Sequence, residues 1–409
     1  MPEATERAGA DEAGSSIAGA AGSGAVEQAI SDFFGHLDRA VHRLVERRGW
    51  TLWVGGLAII LSLCAHAPSS ALIAPLRTSW LFDVLRAQVA HPLTQLDLTP
   101  FEPAAAAAHQ IAGLQHMDKL AFRLTVPLLG HVLHTGGASF LLASWIAGLF
   151  FFPMLARVAG TLFGDRTNAA YVTFAFALSE SGKHIFNDEM FGDGLAWLLL
   201  LMAVRFRNAG MIFASVLLAG FTDERALAGS GAVLLYWLAV EASPAGKPTR
   251  DGWLRAAVVI AAWLAYFAVR LALGHVFGLR TGWSGLFDLD VVRRNLWFSY
   301  PWGLLQVFQG LWLWIVVAAI TLYLRRRFLF GLAFGGVAGA IVAAATLVWD
   351  FTRSVGYALI LLPVAWRTQA LTPASTRALA RSTFLVGFCF VVPYDCVFSY
   401  LYHLGRLLR

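Results

Sequence analysis

The sequence predicts an all-α, polytopic helical membrane protein with about 11 transmembrane helices and a long first outer loop of interfacial helices. Three observations carry that fold class. Hydrophobic residues make up 58% of the 409-residue chain and charged residues only 14%, against about 25% charged in soluble domains. Mean hydropathy is +0.64, and the 15 Trp and 30 Phe suit a chain with much interfacial and lipid-facing area. The arginines recur in short turns between apolar runs. For that reason the net charge of +6 reads as membrane orientation and excludes a nucleic-acid partner. Cys64, Cys389 and Cys396 lie inside apolar runs and form neither a disulfide framework nor a metal-ligand spacing.

Taken in order, residues 1–29 are rich in Ala, Gly, Ser and Glu, contain no apolar core, and predict a disordered cytoplasmic tail without a cleavable signal peptide. Over residues 30–49, Ile30, Phe33, Phe34, Leu37, Val41, Leu44 and Val45 recur at helical spacing, with Ser31 or Asp32 placed to cap. Arg39, Arg43, Arg47 and Arg48 take the other faces. That pattern predicts a basic amphipathic helix on the cytoplasmic membrane surface; a plain positive flank to the first span leads to the same topology.

A crossing needs about 20 apolar residues, fewer when buried among others. On that rule, residues 50–409 form a polytopic domain with spans near 50–66, 138–156, 168–182, 194–204, 209–222, 226–241, 254–274, 302–324, 328–348, 355–367 and 383–401. The stretch from Leu124 to Leu133, interrupted by Pro127, reads as a re-entrant piece or as the start of the second span. Arg157, Arg166, Arg205, Arg207, Lys247, Arg250, Arg255, Arg325, Arg326, Arg327, Arg367, Arg377 and Arg381 all fall on one side. The positive-inside rule puts that side, and the N-terminus, in the cytoplasm, and leaves the tail HLGRLLR outside. The expected location is the bacterial cytoplasmic (inner) membrane.

The acids fall on the opposite side. Glu180, Asp188, Glu189, Asp193, Asp223, Glu224, Asp288, Asp290, Asp350 and Asp395 sit at outer span ends, and Asp83, Asp97, Glu102 and Asp118 in the outer loop. Ionisable groups at membrane depth are costly and usually face a shared polar cavity. The first outer loop, residues 67–123, holds two amphipathic pieces. One is WLFDVLRAQVA, with Asp83 and Arg86; the other is FEPAAAAAHQIAGLQHMDKLAFR, with His116, Asp118 and Lys119. A long loop in a compact polytopic chain is often functional, though helices that only pave the membrane surface have the same pattern.

The segment from Lys183 to Leu227 is the most informative. His184 and Asp188 are four apart, as are Glu189 and Asp193, so on one helix each pair shares a face. Such spacings suit a divalent cation or proton transfer. A solvated helix terminus is the plainer account, so no cofactor is assigned beyond leaving a divalent cation open. Asp193 also stands where it would cap the span that follows. Asp223, Glu224 and Arg225 interrupt an apolar hairpin. A surface turn explains them, and so does a fixed network in which Arg225 holds a phosphate oriented by Asp223 or Glu224. Asp350 and Arg353 are three apart and predict an ion pair that either locks two spans or presents Arg353 to an anionic headgroup. Arg293 and Arg294 add positive charge to the outer side, where orientation does not require it, and a lipid phosphate is one physical reason for them.

This layout resembles the C superfamily of integral-membrane glycosyltransferases over roughly residues 50–360. Those proteins have a cytoplasmic N-terminus, a long first outer loop of interfacial helices, and an acid in that loop as catalytic base. The family commonly shows paired acids there, whereas this chain has a lone Asp83 with Asp97 and Glu102 further on. The resemblance implies transfer of a sugar from a polyprenyl-phosphate donor to an envelope glycan or lipid acceptor. The partners it implies are that donor, the acceptor and membrane lipid. Asp83 then deprotonates the acceptor hydroxyl, with Asp188 or Asp223 as substitutes. Arg225 and Arg353 hold the departing phosphate, and His184, Glu224, Arg293, Arg294 and Asp350 complete the substrate-binding set. Two other readings fit the same charges: a transporter or flippase for an anionic or lipid-linked substrate, and a non-catalytic partner in envelope polysaccharide assembly. The lack of a clear inverted repeat and the crowding of ionisable residues on one side favour an enzyme.

Overall fold

A computed structural model describes residues 28, 31–66, 80–95, 121–186, 192–241, 248–279, 289–348 and 350–407. The chain divides into two compact units, Met1–Trp50 and Thr51–Arg409. In the first, residues 31–46 form helix α1. Its Val41 and Val45 are buried, while Arg39, Arg43, Arg47 and Arg48 are exposed. That is the two-faced pattern its residue spacing encodes.

The second unit is helical throughout its described residues, apart from turns and one isolated bridge residue. Its first helices are α2 (Trp50–Ala65), α3 (Trp80–Ala90), α4 (Thr125–Val132), α5 (Ala138–Phe163), α6 (Arg166–Leu178) and the short α7 (Glu180–His184). Then come α8 (Asp193–Arg205), α9 (Ala209–Thr222), α10 (Arg225–Val240), α11 (Arg250–Phe277) and α12 (Leu289–Arg294). The chain ends with α13 (Tyr300–Phe308), α14 (Trp312–Leu324), α15 (Phe328–Thr346), α16 (Phe351–Val355), α17 (Leu361–Thr368) and α18 (Pro373–Leu407).

Local sequence explains several boundaries. The Asp165 carboxylate accepts from the Thr167 and Asn168 amides at 2.8 and 3.4 Å and starts α6. Asn208 does the same for α9 through the Met211 amide at 3.1 Å, so the α8–α9 turn is only Phe206 to Asn208. Gly164 and Gly278 close α5 and α11 in the left-handed region, at φ 66° and 63°. Pro127 sits in the first turn of α4, where its missing N–H leaves no bond unmade. The stretch around it is thus a separate eight-residue helix, distinct from the span that follows.

At the centre lies α8, whose Asp193, Ala196, Trp197, Leu200, Leu201 and Ala203 are all fully or almost fully buried. It packs against α5, α9 and α10. The periphery is the reverse. Along α11, Trp253, Leu254, Leu264, Leu271 and Val276 are exposed, as are Leu329 and Leu332 on α15. Large exposed apolar side chains over whole helices suit lipid rather than water.

Four described helices are long and apolar enough to cross a membrane: Ala138–Phe163, Arg250–Phe277, Trp302–Leu324 and Phe328–Thr346. They make the chain compatible with an integral membrane protein, and they do not confirm the expected count of about eleven crossings. Helices do stand at the other expected places: those near 50–66, 168–182, 194–204, 209–222 and 226–241 are shorter, whereas the one at 383–401 is part of α18, a helix of 35 residues. The 13 residues of α8 extend about 20 Å, against a hydrocarbon core of about 30 Å. Because its walls are protein, α8 has no need of a full lipid-matched length.

Candidate functional site

The site is built from four chain segments that end at one place: the residues before α4, the start of α8, the α9–α10 turn, and α16 with the 3-10 turn after it. Arg123, just before α4, places its guanidinium against both carboxylates of the α9–α10 turn. Its Nε and Nη2 donate to Glu224 at 3.1 and 3.2 Å, and Nη2 lies 3.1 Å from Asp223 Oδ2. Arg225 opens α10 and donates from Nε to Asp223 Oδ1 at 2.8 Å and from Nη2 to Asp223 Oδ2 at 2.6 Å. The same guanidinium reaches Asp193 Oδ1 from Nη2 and Ser354 Oγ from Nη1, each at 2.8 Å. It also lies over the Tyr357 ring, 5.3 Å from its centre.

Asp193 is the hub. Its side chain is 0% exposed and receives Arg225 on Oδ1, the Tyr357 hydroxyl on Oδ1 at 3.1 Å, and Arg353 Nε at 3.1 Å from Oδ2. The expectation that Asp193 caps the following helix is therefore corrected. Gly192 holds the cap position at φ 81°, and the carboxylate faces arginines instead. Gly194 must also be glycine, since a Cβ there would stand 2.6 Å from the Ile185 carbonyl oxygen. Beyond Asp193, Arg353 Nη2 pairs with Asp350 Oδ2 at 2.9 Å; Arg353 is 7% exposed and Asp350 is 42% exposed. The network thus has a buried centre at Asp193 and Asp223, with Glu224 partly exposed and Asp350 the more open edge.

Charge explains why so buried a cluster is tolerated. Asp223 is fully buried, and burial alone would raise its pKa, but Arg123 and Arg225 outweigh burial and hold it far below the carboxylate range. Glu224 shifts down in the same sense, burial again being overcome by Arg123. Carboxylates held this way keep their charge and give up basicity. Asp223 is placed to orient arginines rather than to take a proton.

Of the residues singled out from sequence, Asp223, Glu224, Arg225, Asp350 and Arg353 are brought together. His184 lies beside the network, at the end of α7, with Nε2 3.7 Å from Glu180. Burial lowers its pKa to about 4, so it is neutral at pH 7. Helix α7 ends at His184 and α8 begins at Asp193. Asp188 and Glu189 lie outside the described residues. Asp83 falls one turn into α3, with its side chain outside the description. Arg293 is exposed on α12, and the Arg294 side chain likewise lies outside the description. Among the described residues, no three of His, Cys, Asp and Glu gather as metal ligands.

Sequence reasoning missed Arg123, Ser354 and Tyr357. The argument that singled out Arg293 and Arg294, an arginine on the expected outer side and not needed for orientation, applies equally to Arg123 at the end of the expected outer loop. The loop helix is tied to the network through that residue: Gln88 Nε2 on α3 donates to the Arg123 carbonyl at 3.3 Å. Leu85 and Val89 of α3 pack with Val126 and Phe140 behind it. No family model, curated protein or solved structure matches the chain.

Proposed function

We propose that the chain is a polytopic membrane glycosyltransferase that moves a sugar from a polyprenyl-phosphate donor to an envelope glycan or lipid acceptor at the outer boundary of the bacterial inner membrane. One observation carries the reading: Arg353 is buried at the edge of the ion network where Asp350, its most exposed described member, opens to solvent, and it pairs there with the half-exposed carboxylate of Asp350. Six ion-paired groups within it, Arg123, Arg225 and Arg353 against Asp193, Asp223 and Glu224, balance in charge. Asp350 adds one more negative charge. An anionic phosphate therefore enters by displacing Asp350 into solvent and taking its place on Arg353. Arginine suits this role because its planar fork accepts either a carboxylate or a phosphate.

The roles follow from position. Arg353 stabilises the leaving phosphate, whose charge grows as the glycosidic bond breaks. With four of its N–H groups committed to Asp223, Asp193 and Ser354, Arg225 is a positioning residue, and Asp223 and Glu224 position Arg225 and Arg123. Asp83 on α3 supplies the base that deprotonates the acceptor hydroxyl as it attacks the anomeric carbon. The Gln88–Arg123 contact supports this by fixing α3 to the network. His184 lies on the sugar side, and Arg293 and Arg294 draw the anionic donor to the outer surface.

The test is reconstitution of the purified chain with radiolabelled polyprenyl-phosphate sugars and an envelope-lipid acceptor. Sugar transfer that is lost in Asp83→Asn, while that variant inserts and folds, supports the assignment. Full transfer in Asp83→Asn moves the base elsewhere. Translocation of the intact donor without transfer makes the chain a carrier, and neither activity makes it a non-catalytic assembly partner.

A further inference from the structure

Beside the ion network lies a group of buried polar atoms that make no hydrogen bond to any described residue, His184 Nε2 having only the Glu180 carboxylate at 3.7 Å. Ser181 and His184 are three apart on α7 and share a face. Trp197 is four residues after Asp193 on α8, so it shares the face that Asp193 turns to the arginines. The His184 ring meets the Trp197 ring edge-to-face at 6.5 Å between centres. Trp197 also meets Tyr357 edge-to-face at 5.7 Å. Gly356 lets this happen: a Cβ there would collide with the indole, and the same point is 3.5 Å from Ser181 Oγ. Trp197 Nε1, Ser181 Oγ and both ring nitrogens of His184 are buried and, among the described residues, make no hydrogen bond. Native interiors seldom leave four such atoms without a hydrogen-bond partner.

We propose that Ser181, His184 and Trp197 form a subsite that binds one hydroxyl group of the uncharged, sugar-like part of the substrate; the proposal rests on the glycosyltransferase reading. The chemistry selects the ligand. Trp197 can only donate, Ser181 donates and accepts, and a neutral imidazole offers one donor and one acceptor. A hydroxyl group, which also donates and accepts, matches that set. An ion does not, because the charges on both sides are already paired: Lys183 with Glu180 at 3.0 Å and Arg353 with Asp193 at 3.1 Å. The position also fits, since the sugar hangs from the phosphate that Arg353 receives, and Trp197 lies one helical turn from Asp193.

The experiment compares binding of a polyprenyl-phosphate hexose and of sugar-free polyprenyl phosphate to the full chain in lipid nanodiscs. Trp197→Phe keeps the ring and removes the N–H, and Ser181→Ala removes the hydroxyl. Each should weaken the sugar-bearing lipid by about tenfold, the effect of one buried hydrogen bond, and leave the sugar-free lipid unchanged. Equal losses for both lipids, or no loss for either, overturn the proposal and leave an ordered water only. If the wild type binds neither lipid, the glycosyltransferase reading fails. The subsite is then decided by the indole N–H band in ultraviolet resonance Raman, taken as wild type minus Trp197→Phe with free glucose added. A glucose-dependent shift sustains a hydroxyl subsite, and an unchanged band overturns it.

Discussion

Replacing Arg225 by Met tests the claim that the buried ion network, more than any single helix contact, fixes the α8–α9–α10 core. In the native chain, Arg225 makes two bonds to Asp223, one to Asp193 and one to Ser354, all between 2.6 and 2.8 Å. Methionine fills similar volume, so the change is electrostatic. It leaves Asp223 with Arg123, and Asp193 with Arg353 and Tyr357, and it shifts the cluster from three cations against four carboxylates to two against four. Breaking a buried pair from one side costs about 3–5 kcal/mol, because the remaining charge stays buried. The two aspartates keep one arginine each, so the expected loss lies near the lower end, about 3 kcal/mol. Adding Asp193→Asn removes one of the stranded charges. The double variant should be less than additively destabilised, with a coupling of about 1–3 kcal/mol. Steric-trap unfolding in bicelles measures both quantities. A loss below about 1 kcal/mol for Arg225→Met, the size of an exposed surface pair, or strict additivity in the double variant, would refute the reasoning.

Further outcomes follow from the same geometry. His184 titrates near 6.5 when unfolded and near 4 when folded, so the unfolded chain binds the extra proton between those values. Stability should therefore fall as pH drops from 6.5 to 4, by about 2–4 kcal/mol. His184→Gln should flatten that interval in a pH series of unfolding midpoints. The loss from Asp223 and Glu224, whose pKa values are lowered on folding from 3.8 and 4.5, sets in at the acidic end of that interval, continues below it, and should survive the change. Gly194→Ala drives a methyl into the Ile185 carbonyl and should cost more than about 2 kcal/mol. Gly336→Ala on α15 meets open space and should be neutral or stabilising by up to about 1 kcal/mol; thermal midpoints in detergent compare the two. On the proposed mechanism, Asp350→Asn frees Arg353 and should tighten donor binding several-fold. Arg353→Lys keeps the charge but loses the fork, so it should weaken binding by about tenfold or more. Titration of the labelled donor decides between these outcomes and an Asp350–Arg353 pair that only locks helices.

Much of the architecture follows from local rules that a sequence displays directly. Apolar runs, Asn208 and Asp165 at helix starts, and glycines at helix ends place most of the helices, including Trp80–Ala90 in the expected outer loop. The Asp350–Arg353 pair was legible because three residues make nearly one helical turn. What depended on tertiary structure is which polar ends meet, and what each then does. Asp193 read as a helix cap, a role its neighbours support, yet three partners from 32 or more residues away in sequence claim its carboxylate. Hydropathy set the places of α8 and α9 but not their lengths relative to lipid, because a helix walled by protein escapes the thickness that fixes a lipid-facing one. Local pattern encodes what a residue prefers in its own turn of chain. The choice of Arg225 for Asp193, or of Trp197 for His184, belongs to long-range packing, because a charge or a ring edge selects its partner only after the helices that carry them have met.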